Sequence, residues 1–200
     1  MMKRDAVLQI LARHVTDEIV VAVYQACFDW MAVAPRDLNY VSTGAMGQAS
    51  SHALGLALGR PDKRVLVFDG DGSLLMNLGS LVTIAAEAPA NLVHFVFQNG
   101  CYEANGAHPL PNARHVDFCG LARAAGYREA EPFEDLATFA SAAGRLVAAT
   151  GPVLVALKTE AGAPSPQDYA KIHSAEVRAA FRRALLPGPV LDREQPGHAT

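Results

Sequence analysis

The stretch RVLVFDGDGSLLMN, Arg64 to Asn77, runs an apolar segment directly into Asp69-Gly70-Asp71-Gly72-Ser73. An uninterrupted β-branched and aromatic run reads as a strand buried on both faces, the kind found in parallel sheets. Ligand sites in open parallel sheets lie at the carboxyl ends of strands, which is where the Asp and Gly residues fall. The two glycines let the backbone turn tightly and approach a ligand closely, and Asp71 offers a hard carboxylate oxygen suited to Mg²⁺. A short Asp-Gly motif is also an ordinary turn, so its neighbours must decide between the two.

The next apolar run, NLVHFVFQ, ends at Asn99-Gly100, with 26 residues between Gly72 and Asn99. That interval holds a turn, one helix and one strand, which places Asp71 and Asn99 at adjacent strand ends. The same rhythm extends through the chain. Val7, Leu8, Ile10 and Leu11 share a helical face, and Glu18–Tyr24 (EIVVAVY) reads as a buried strand. A short strand at Tyr40-Val41 leads into a helix after Gly47. Further helices are expected near Leu78–Ala88, Asp117–Ala125 and Phe133–Ala149, with a strand at Pro152–Lys158. This alternation predicts an α/β fold: a single doubly wound domain over residues 1–186, with a mostly parallel sheet of about six strands flanked by helices. A C-terminal helix is expected from Gln167-Asp168, and the Pro- and Gly-rich residues 187–200 are expected to form a flexible tail.

Composition narrows the partners. The chain has 200 residues, 50% apolar and 18% charged, a formal net charge of -3 and a pI near 6.1. Its scattered basic residues give no reason to expect nucleic acid or an anionic membrane. No apolar run suits a signal peptide or a membrane span. Cys27, Cys101 and Cys119 form no CxxC pair, so neither a disulfide framework nor a zinc site is suggested, and a cytoplasmic setting is expected.

GDG followed about two dozen residues later by Asn at a strand end resembles the diphosphate motif of thiamine diphosphate enzymes. The resemblance implies thiamine diphosphate and Mg²⁺ as cofactors, with Asp71 and Asn99 as side-chain metal ligands and the Cys101 carbonyl as the third. Gly70, Gly72, Ser73 and Tyr102 would line the cofactor. Upstream, the Gly-x-Met-Gly segment in VSTGAMGQ is similar to one in decarboxylases and acetolactate synthases of that family. By that likeness the Gly44 carbonyl accepts from the cofactor's amino group and Met46 is the apolar wedge beneath it; a thioether suits that place because it is soft and shape-adaptable.

The loop NGCYEANGAHPLPN follows Asn99 and should overhang the cofactor. Tyr102, Glu103, Asn105 and His108 are candidates for substrate contact or proton transfer. Glu103 and His108 are the catalytic candidates, with His108 the better general acid on pKa grounds, although a solvated surface loop contains the same residue types. Arg114 is a candidate for a substrate anion. His94 reads as a core histidine, and His52 as facing either the diphosphate or a partner chain.

In the family, the glutamate that activates the cofactor belongs to a separate pyrimidine-binding domain. The match here runs from about Tyr40 to Cys101, and the 40 residues before it are too few for a second domain. That glutamate is therefore expected on a partner, or alpha, subunit, in a hetero-oligomer such as α2β2 or larger. The run GDGSLLMNLGSLVTIA, the phrase PANLVH and the YE-containing loop resemble the beta subunit of sulfopyruvate decarboxylase and the C-terminal half of phosphonopyruvate decarboxylase. The resemblance implies a carboxy-lyase that takes a small 2-oxo acid of the 3-sulfo- or 3-phosphonopyruvate kind and releases CO₂ and an aldehyde. Three alternatives share parts of the pattern: an acetolactate synthase-like carboligase subunit, a 2-oxoacid:ferredoxin oxidoreductase beta subunit, and a non-catalytic regulatory subunit.

Overall fold

The computed structural model describes residues 1–41, 44–162 and 166–186. The expected tail, 187–200, lies outside the described residues. The elements run α1 (Arg4–Ala12), β1 (Ile19–Ala22), α2 (Tyr24–Val33), β2 (Asn39–Tyr40), α3 (Ala49–Gly59), β3 (Val65–Gly70), α4 (Asp71–Met76), α5 (Ser80–Glu87) and β4 (Leu92–Gln98). After β4 come a small hairpin, β5 (Cys101–Tyr102) and β6 (His108–Pro109), then α6 (Phe118–Ala125), β7 (Glu129–Phe133), α7 (Leu136–Val147), β8 (Val153–Lys158), α8 (Tyr169–Ile172) and α9 (Ala175–Leu185).

Six of these strands form one sheet in the order β2-β1-β3-β4-β8-β7, every neighbouring pair parallel. Successive residues of a strand point to opposite faces, and here both faces are apolar. Leu66 and Phe68 of β3, with Phe95 and Phe97 of β4, join a core beneath α1, α2 and α7. Val65 and Val67, with Leu92 and Val96, join a second core beneath α3, α5 and α6. This two-faced burial is why the strands read as continuous apolar runs. At the starts of α6, α7 and α9, short polar side chains take free backbone N–H groups. Asp117 accepts from Gly120, Asp135 from Thr138 and Ser174 from Val177.

The structure corrects several boundaries. β1 stops at Ala22, and Tyr24, expected as its last residue, instead opens α2. The segment read as one helix from Phe133 contains the end of strand β7 followed by α7. β7 is an edge strand, where Pro132 and the exposed Glu129 are tolerated. The C-terminal helix is broken into α8 and α9 at Ser174, which caps the second piece. The Asn99–Asn112 loop is not wholly irregular but carries the β5–β6 hairpin. Among the described residues no helix is long and apolar enough to cross a membrane.

Strand order places the site. Chain succession steps outward from β1 to β2 on one side and from β1 to β3 to β4 on the other. The crevice between β1 and β3 is therefore a topological switch point, where open α/β sheets bind ligands.

Candidate active site

A cleft of about 430 Å³ opens at that switch point. Its walls come from three strand ends: Val23–Ala26 after β1, Gly70–Ser73 after β3, and Phe97 and Asn99 at β4. Met46, Cys101, Tyr102 and Glu103 also line it, as does Arg4. The two motifs read from sequence thus meet in one cavity.

Asp71 is the most constrained of these residues. It is 2% exposed, and its Oδ1 accepts from the Gly72 N–H at 2.8 Å while its Oδ2 accepts from the Gly100 N–H at 2.7 Å. The second bond depends on Gly100 at φ +76°, a backbone that suits glycine. Burial nonetheless dominates and pushes the Asp71 carboxyl up to about 6, despite the stabilising N–H groups of Gly100 and Gly72. A divalent cation beside this carboxylate would offset the cost of burying its charge.

Asn99 stands at the adjacent strand end, its Oδ1 accepting from the Cys101 N–H at 3.0 Å. In the hairpin Cys101 pairs with Pro109, and the Leu110 N–H donates to the Gly100 carbonyl. That pattern makes Cys101–Pro109 a non-hydrogen-bonded pair, so the Cys101 N–H and carbonyl both point away from β6, to the side of Asn99. Burial, with Glu103 and Asp71 nearby, raises the Cys101 thiol, so its sulfur stays protonated. Among the described residues no group of three or more His, Cys, Asp or Glu forms a metal cage. A carboxylate, an amide and a carbonyl fit Mg²⁺, which is held by few protein groups and completes its shell with phosphate oxygens. Gly70 fits the same ligand, since a Cβ built there meets nothing within 4 Å.

Ser73 and Asn77 tie the upstream glycine segment to this turn. The Ser73 Oγ accepts from the Gly47 N–H at 2.9 Å, and the Asn77 Nδ2 donates to the Gly47 carbonyl at 2.8 Å. Gly47 has φ +82°, and an added Cβ would lie 3.1 Å from Asn77 Cβ. Met46 is thereby fixed in the cleft wall. Gly44, at φ +78°, lines a neighbouring cavity of about 290 Å³ with Tyr24, Val41 and residues of α8.

The loop candidates separate. The Tyr102 ring lies against Gly72 so closely that a Cβ there would sit 2.6 Å from Cδ1. Glu103 lines the cleft, but its carboxylate pairs with the buried Arg4 and accepts from the Gly162 N–H at 2.8 Å. His108, Asn105 and Arg114 are exposed and do not line the cleft. His52 packs edge-on against Tyr40, away from the cleft, and His94 is fully buried with Nε2 3.4 Å from Asp69 Oδ2. Arg4, Tyr24 and Gln25 are cleft residues that sequence reasoning did not single out.

The Tyr102 contact yields a prediction. Gly72→Ala should cost about 1–3 kcal/mol, because overpacking must displace the ring or its hairpin. Adding Tyr102→Ala should recover about 1 kcal/mol or more of that loss in urea unfolding. Simple additivity of the two changes would show that the ring does not rest on this turn.

Residues 21–157 match the family of the thiamine pyrophosphate enzyme C-terminal TPP-binding domain. The chain belongs to that family. It is 39% identical over 164 residues to phosphonopyruvate decarboxylase of Streptomyces viridochromogenes, a match covering 82% of this chain and 41% of the relative. It is 43% identical over 103 residues to sulfopyruvate decarboxylase subunit beta of Methanothermobacter thermautotrophicus, covering 52% of this chain and 54% of the relative. The chain thus matches about half or less of the length of these curated relatives. Among solved structures, benzoylformate decarboxylase from Polynucleobacter necessarius superposes with a TM-score of 0.65 at 21% identity, covering 82% of this chain and 34% of that one. At that identity the likeness speaks for the fold alone.

Proposed function

We propose that this chain is the diphosphate- and Mg²⁺-binding subunit of a two-chain thiamine diphosphate-dependent decarboxylase acting on a 2-oxo acid of the 3-sulfo- or 3-phosphonopyruvate kind. The observation that carries the reading is Asp71, buried at the switch point with both oxygens oriented by backbone N–H groups and Asn99 at the adjoining strand end. Asp71, Asn99 and the Cys101 carbonyl would hold Mg²⁺. Gly70, Gly72, Ser73 and Tyr102 would line the diphosphate, while Gly44 and Met46 would support the aminopyrimidine. When bound, the cofactor supplies a nucleophilic carbon and an electron sink for loss of CO₂.

This chain's residues would position that group and exclude water from it. Glu103 would set the hairpin through Arg4 rather than transfer protons itself, because its carboxylate is already committed. A proton-transfer role for His108 requires a partner chain to close over the hairpin, since the imidazole is exposed here. The partner would be a pyrimidine-domain alpha subunit supplying the activating glutamate, in a hetero-oligomer. The name "subunit beta" carried by the Methanothermobacter relative supports this arrangement. Residues 1–186 would be the folded unit, and three free cysteines suit a reducing, cytoplasmic setting.

The purified chain alone should show no turnover. Co-expressed with a pyrimidine-domain partner, it should release CO₂ and an aldehyde from sulfopyruvate or phosphonopyruvate, read by coupled aldehyde reduction. Full activity from the single chain would overturn the two-chain arrangement. A condensation product in place of the aldehyde would indicate a carboligase instead.

A further inference from the structure

We infer that Tyr24 is a diphosphate-binding residue whose phenol donates a hydrogen bond to the cofactor's anionic end. The inference rests on the cofactor reading above. Tyr24 has φ +47°, in the left-handed region, where a large side chain is rarely held. Strain of this kind persists where surrounding structure over-determines it, and it clusters at ligand sites. Its position agrees: Tyr24 lies directly after β1, at the switch point, and lines both the cleft carrying Asp71 and the cavity carrying Gly44. A cofactor occupying both cavities would lie beside this residue.

The donors around the cleft give the second reason. A diphosphate needs several N–H or O–H groups beyond its metal ion. Arg4, the cation in the cleft wall, is taken by Asp29 and Glu103. The Gly72 and Gly100 N–H groups serve Asp71, the Cys101 N–H serves Asn99, and the Gln25 amide donates to Asp29. The hydroxyls of Ser73 and Tyr102 remain as donors from the far wall, and the Tyr24 hydroxyl, which has no hydrogen-bond partner among the described residues and belongs to a partly buried residue, is a donor from the β1 side. A neutral O–H donor also suits a site where bound Mg²⁺ already offsets much of the phosphate charge.

Tyr24→Phe removes the hydroxyl and keeps both the ring and the backbone. In the assembled complex at saturating Mg²⁺, it should weaken thiamine diphosphate binding by on the order of tenfold, measured by calorimetry. It should weaken competition by inorganic pyrophosphate by the same factor, because the two ligands share only the diphosphate. The melting temperature of the cofactor-free complex should not move. Wild-type affinity in Tyr24→Phe would overturn the inference, as would a loss for thiamine diphosphate that pyrophosphate does not share. If the wild-type complex binds neither ligand, the cofactor reading itself fails, an outcome distinct from the failure of Tyr24 alone.

Discussion

Asp71→Ala should abolish Mg²⁺-dependent thiamine diphosphate binding by the assembled complex while leaving its cofactor-free fold nearly as stable as wild type. The loss follows from removing a charged metal ligand that the remaining amide and carbonyl cannot replace. A carboxyl raised from 3.8 to about 6 by burial means that the folded chain holds a proton more tightly than the unfolded chain does. Stability from this group is therefore fully present below pH 3.8 and is lost as pH rises through about 6, a penalty of roughly 3 kcal/mol at neutral pH. Alanine removes that penalty but leaves the Gly72 and Gly100 N–H groups without their acceptor, at about 1–3 kcal/mol each. The two effects oppose each other. Calorimetric titration with cofactor and Mg²⁺, beside thermal melts without either, measures both. Retained Mg²⁺-dependent binding in Asp71→Ala would remove this carboxylate from the metal site. The same shift predicts that below about pH 6 protons compete with Mg²⁺, so apparent metal affinity in wild type should fall by about tenfold per pH unit.

What could be read in the sequence, and what could not, divides along physical lines. β3, β4 and β8 are central strands buried on both faces, so composition alone marks them. Asp71 and Asn99 are legible because each directly follows such a strand, and parallel pairing aligns their ends. β7 escaped because an edge strand can carry Glu129, Glu131 and Pro132, which leave no apolar alternation to detect. Tyr24 escaped for a different reason. The usual sign of a left-handed turn is glycine, and a tyrosine after Ile19–Ala22 looks like one more strand residue. The pairing of Glu103 with Arg4 escaped because the two lie 99 residues apart, and no periodic pattern reports a pair at that separation.

That pair sets the second large effect. Arg4→Met should destabilise the chain by about 3–5 kcal/mol, the cost of breaking a buried ion pair from one side. Arg4 is 8% exposed; its Nε donates to Asp29 Oδ2 and its Nη1 to Glu103 Oε2. Removing the guanidinium strands two carboxylates at once. Asp29 keeps the Gln25 amide at 3.1 Å, and Glu103 keeps the Gly162 N–H at 2.8 Å, neither of which carries charge. Arg4→Lys should recover only part of the loss, because one ammonium lacks the fork that serves two acceptors from different atoms. The deficit should shrink on acidification, since protonation discharges a carboxylate left without its cation. Urea unfolding at neutral and acidic pH tests this, and an equal deficit at both would mean that lost packing rather than charge is responsible. The effect should reach the cleft as well. Glu103 directly follows Tyr102, whose ring rests on Gly72, so freeing Glu103 releases the hairpin from the GDG turn. Cofactor binding should therefore weaken in Arg4→Met even under conditions where the chain remains folded, with Asp71 and Asn99 unaltered.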